Sequence, residues 1–187
     1  MYIYYQLLKL IKHIYNNMVE SFRPYLSVIR DALTYALCIT NFPSQIFEKI
    51  NRPQIEVEES SEVINKPFII SRSDQEVVEI ERSINSVRIN IVIKKYTDLE
   101  NLLMGIYAQF LMNRADKYNI LRKIPKEGYD ISFLITNYHL EVYNKEDIID
   151  FIVEFIQDLV KEVTDMKMTV NSQSRYVTTY LMEQLKI

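Results

Sequence analysis

Apolar residues recur at helical spacing near both ends of the chain and at strand spacing between them. In PYLSVIRDALTYALCI, beginning at Pro24, one helical face collects Tyr25, Val28, Ile29, Ala32, Leu33, Ala36 and Leu37. Pro24 suits a first turn, where its missing N–H has no partner to lose, and Asn41 and Pro43 end the segment. Pro53 and Pro67 punctuate two short extended stretches, QIEVE and PFIIS. From Glu76 to Lys95, two strands break around Ser83 to Asn85; Val87, Ile89, Ile91 and Ile93 alternate with Ser86, Arg88 and Asn90. Thr97 and Glu100 form a capping box opening a helix to about Lys117 that buries Leu99, Leu103, Ile106 and Phe110. YNILRKI and GYDISFLITNYH predict a strand pair joined through Pro125 and Gly128.

The last of these stretches poses the first chemical question, because it carries both Asp130 and His139. In a half-buried extended strand, nine residues separate them by about 30 Å and put them on opposite faces. They cannot share a proton.

From Asn144 to Ile187 there is no glycine or proline. Asn144 is the expected N-cap, with Glu146 and Asp147 at the positive end of the helix dipole. An unbroken helix over 145–187 would be about 64 Å long. The remaining body, about 140 residues, has a radius of gyration of only about 14–15 Å. Two apolar stripes run side by side along the helix. Ile148, Ile152, Phe155, Leu159 and Val163 form one; Ile149, Val153, Ile156 and Val160 form the other. One stripe can cover a sheet, and leaving the other in water would forgo about 1.5–3 kcal/mol per side chain. These nine residues are therefore the expected interface with a partner helix. The competing arrangement is a break at TVNSQS, Thr169 to Ser174, with the tail folding back.

The order is helix, three or four strands, helix, two strands, long helix: an α+β fold with a largely antiparallel sheet flanked by helices. Composition narrows the function. A net charge of −3, from 22 basic and 25 acidic residues interspersed, lacks the basic footprint of a nucleic-acid binder. Two glycines cannot build a phosphate cradle. Cys38, the single cysteine, lies in the apolar run ALCI and is expected to be buried. With two histidines and no cluster at metal-ligand spacing, neither a cofactor nor a catalytic site is expected. The chain does not read as an enzyme.

The N-terminal MYIYYQLLKLIKHIYNN is apolar and aromatic, too short and too interrupted to span a bilayer. It reads as an interfacial helix, a packing helix, or translated upstream sequence ahead of a start at Met18.

RPYLSVIRDAL (Arg23 to Leu33), ISRSDQE (Ile70 to Glu76), SINSVRINIVIKK (Ser83 to Lys95) and EGYDISFLITNYH (Glu127 to His139) together resemble the 20 kDa subunit family of the actin-related protein 2/3 complex. Family members begin just before the RPYLS motif, so the resemblance favours Met18 as the start, a single domain over 18–187, and 1–17 as an extension. It implies a non-catalytic structural subunit of the cytoplasm and actin cytoskeleton. Its long helix would pair with that of the 34 kDa subunit, and its other partners would be the remaining complex subunits, the two actin-related proteins and the side of a mother actin filament. The family places basic side chains toward the end of that helix against the filament. Arg175 keeps such a position, whereas Gln173 and Glu183 stand where a basic residue is expected. From the residues alone, an adaptor or chaperone that dimerises through its long helix stays open.

Overall fold

The computed structural model describes residues 22–39, 53–57, 64–93 and 117–184. The extension 1–17, the start at Met18, the helix end at Asn41 and Pro43, and the capping box at Thr97 with its helix lie outside the described residues.

Helix α1 covers 22–36, and a short helix α2 covers Gln54–Val57. Strands β1 (Ile64–Ser73), β2 (Glu76–Ser83) and β3 (Ser86–Val92) follow, then β4 (Ile131–Thr136), helix α3 (Asn137–Val142) and helix α4 (Lys145–Gln184). The four strands form one antiparallel sheet in the order β1-β2-β3-β4. The fold is α+β, as the residue pattern predicts.

One face of the sheet carries Val78, Ile80, Val87, Ile89, Ile91, Ile131, Phe133 and Ile135, all buried. They share a core with Ile29, Leu33, Ala36 and Leu37 of α1 and with the apolar residues of α4 from Ile148 to Val163. Edge-to-face ring contacts join the layers, Phe133 to Phe155 at 5.2 Å and Phe133 to Phe151 at 6.3 Å between centroids. Tyr118 extends the stack to Phe151 and Tyr143.

Five expectations change. QIEVE is helical at Gln54–Val57 because a distant turn caps it: Asn85 Oδ1 accepts from the Gln54 amide at 2.9 Å and Ser86 Oγ from the Ile55 amide at 3.2 Å. YNILRKI forms only one bridge, Leu121 to Phe133, with backbone bonds from Leu134 to Ile120 and from Arg122 to Ser132. Asn119, at φ 56°, turns the chain out of an extended path before it. β4 is buried on both faces rather than half-buried, and it stops at Thr136. There the Thr136 amide donates to His139 Nδ1 at 3.0 Å, so His139 caps α3 instead of ending a strand. Asp130, at the other end of β4, accepts from the Ile93 amide at 2.8 Å. Finally, Cys38 is exposed. It lies two residues past the end of α1, where its thiol donates to the Thr34 carbonyl at 3.4 Å. Val28, expected on the buried face of α1, is 51% exposed.

Candidate functional site

Among the described residues no pair of acid–base residues stands out, and the two built features there are α4 and the polar face of the sheet. Among the described residues no group of three or more His, Cys, Asp or Glu side chains could hold a metal ion. Among them, too, no helix is long and apolar enough to cross a membrane.

α4 starts as its sequence dictates. Asn144 Oδ1 accepts from the Glu146 amide at 2.9 Å, with Glu146 and Asp147 in the first turn. The helix then runs 40 residues without a break, about 60 Å. The chain is helical through Thr169–Ser174, so the alternative break is absent, and several hydroxyls along this part of the helix bond to its own carbonyls. Thr164 Oγ1 donates to the Val160 carbonyl at 2.8 Å, Thr169 Oγ1 to Asp165 at 2.9 Å and Ser172 Oγ to Thr169 at 2.8 Å.

The nine expected interface residues fall differently. Ile148, Ile149, Ile152, Val153, Phe155, Ile156, Leu159 and Val163 are at most 7% exposed, covered by the chain itself. Val160 alone is half-buried. Both stripes lie in one buried core, which they share with α1 as well as with the sheet. Arg30 pairs with Asp150 at 2.6 Å, and Lys145 Nζ donates to the Thr34 carbonyl at 2.7 Å, fastening α1 alongside α4. After Val163 this changes: Thr164 and Asp165 are half-buried, and Met168, Thr169 and Ser172 are exposed. Arg175, Gln173 and Glu183 lie in α4, and their side chains are outside the described residues.

The second face of the sheet carries a charge network that sequence reading missed. Register sets Glu79 opposite Asn90 and Glu81 opposite Arg88. Arg88 Nε donates to Glu81 at 2.6 Å, and Asn90 Nδ2 donates to Glu81 at 2.7 Å and Glu79 at 3.0 Å. Lys126, from the loop before β4, bridges Glu81 at 2.7 Å and Glu79 at 3.0 Å. Ser132 Oγ donates to Asn90 at 2.7 Å and accepts from the Lys126 amide at 3.0 Å. Burial pushes the Glu81 carboxyl up, but the hydrogen bonds from Arg88 and Lys126 outweigh it and hold it below its ordinary value. For Lys126 burial works against the charge and the two carboxylates win, raising it. Burial, then a hydrogen bond to Glu79, raise the Tyr129 hydroxyl, so it stays protonated. Two acids and two bases cancel here. The arrangement fastens the 117–130 segment over the sheet and offers no free group for chemistry. The signal that could have found it is two acids in alternation on one strand facing Arg and Asn in alternation on the next.

The chain resembles known proteins over nearly its whole length. The family model of the ARP2/3 complex 20 kDa subunit (ARPC4) matches residues 18–184. Actin-related protein 2/3 complex subunit 4 of Dictyostelium discoideum is 46% identical over 156 residues, covering 83% of this chain and 92% of the relative. A probable subunit 4 of Caenorhabditis elegans is 42% identical, covering 84% and 94%. Subunit 4 of Saccharomyces cerevisiae is 41% identical over 168 residues, covering 89% and 98%.

Proposed function

Because this chain belongs to the family of the ARP2/3 complex 20 kDa subunit, we propose that it is a non-catalytic core subunit of that complex, at work in the cytoplasm on branched actin nucleation. Its task is to hold the actin-related proteins in position and to help seat the complex on the side of an existing filament. The observation that carries this reading is α4. Its first five turns are core; the helix continues for about 30 Å after Val163, and among the described side chains there none is buried. A helix that continues this far past its own domain needs another surface beside it. The 34 kDa subunit's long helix is the proposed occupant. It would begin at Val160, the half-buried member of the second stripe, and run along the turns that follow. Arg175 would face acidic actin near the far end, contributing steering and register more than affinity.

Native mass spectrometry on a tagged copy purified from its own cells tests this. The expected result is a stoichiometric assembly holding two actin-related proteins. A homodimer or lone monomer would overturn the proposal in favour of the helix-dimerising adaptor.

A further inference from the structure

The two edges of the sheet are finished differently. β4 is flanked by residues 120–122, through the Leu121 to Phe133 bridge and the backbone bonds beside it. β1, the longest strand, lies at the other edge and has no buried residue. Among the described residues its backbone groups bond only β2. Its centre is apolar, PFII, and Ile69 stands 66% exposed.

From this geometry we propose that Phe68–Ser71 is a docking edge for an extended segment of another protein, apolar at its centre and acidic toward its ends. Such a segment would add a fifth strand, its main chain meeting the outward N–H and C=O groups of β1. Its composition follows from the charges that flank the site. Lys66 and Arg72 are exposed at the two ends of the apolar run, at the register shifts that bend the strand; Arg72 also pairs with Glu76 at 3.6 Å and lies over the Phe22 ring at 5.1 Å, so Lys66 is the stronger selector of the two. A second copy of this chain does not fit: antiparallel pairing with Ile69 against Ile69 sets Lys66 opposite Arg72, and facing like charges are destabilising. Pro67, Lys66 and the two register shifts are the usual guards against promiscuous edge pairing. They leave four residues open and select by charge who pairs with them. The site is independent of the complex membership proposed above.

The test places a photo-crosslinking phenylalanine analogue at position 69 of the tagged chain in its own cells, with the product mapped by tandem mass spectrometry. The expected product joins position 69 to an extended, acid-flanked segment of another protein. The double variant Lys66→Glu, Arg72→Glu should lower its yield about tenfold, since it turns two attractive cross-strand pairs repulsive. Because Arg72→Glu also meets Glu76 and gives up the Phe22 contact, the single variant Lys66→Glu is the control: it should lower the yield about threefold at an unchanged melting temperature. A product with a second copy, a product within the chain, or none would each overturn the proposal. So would a yield indifferent to the charge reversal. Native mass spectrometry of the same preparation reports complex membership separately.

Discussion

Helix α4 behaves as two objects in one element. From Lys145 to Val163 it is the inner layer of a domain, its apolar arc buried in the core it shares with the sheet and α1. From Thr164 onward the described side chains are half-buried or exposed, with Met168 at 45%. Nothing in the backbone marks the junction. What changes is the company. The first half derives its order from the chain's own core, and the second needs an external surface to justify its length. An isolated helix of that size is marginal in water.

Substitutions in the two halves should therefore separate folding from assembly. Ile152→Asp or Phe155→Asp puts an unpaired carboxylate in the core, and the chain should fail to fold, losing several kcal/mol from a total of about 5–15. Soluble yield and circular dichroism would report it, and a folded variant that merely fails to assemble would contradict the burial pattern. Leu159→Ala should cost about 2–5 kcal/mol in denaturant unfolding, while Met168→Ala should stay within about 0.5 kcal/mol. Removing residues 165–187 should leave the melting temperature of the domain nearly unchanged and abolish co-purification with the large partner.

The polar face of the sheet provides a contrast in pH. Glu81 lies below its ordinary 4.5, so its contribution is complete above that value and is lost as pH falls through its folded value. Lys126 is raised above 10.5, so its contribution is complete below that value and fades as pH rises through its folded value. The network is whole between those limits. In acid, amide exchange should quicken in the 117–130 segment before it does in the first half of α4. Arg175→Glu should have the smallest effect: folding and assembly intact, branch density reduced in actin polymerisation assays, and the deficit shrinking as salt rises.

What was legible in the chain was whatever its near neighbours decide. The β2–β3 break at Ser83–Asn85, the Gly128 turn at φ 85° and the Asn144 cap are short-range matters of propensity and capping, and the structure keeps all three. The misreadings arise where a remote partner decides. α2 is capped from 31 residues away. Glu79 and Glu81 look solvent-facing until Lys126, 45 to 47 residues on, closes over them. The second stripe of α4 looked unpartnered because the core it joins draws on distant parts of the chain, α1 more than 100 residues earlier among them. Only Val160 and the turns after Val163 keep the expected need for a partner.

The ring stack of Phe133, Phe151, Phe155, Tyr118 and Tyr143 has a consequence for aim. It clamps a rod near one end, and from Phe155 the helix runs about 44 Å to Gln184, so about 5° of tilt at the stack displaces the tip sideways by about 3.8 Å. That is about one side-chain contact distance, enough to pull the far turns away from a facing helix. A conservative change such as Phe151→Leu can thus leave the domain stable yet misdirect the arm, and its defect would be one of pointing rather than of folding.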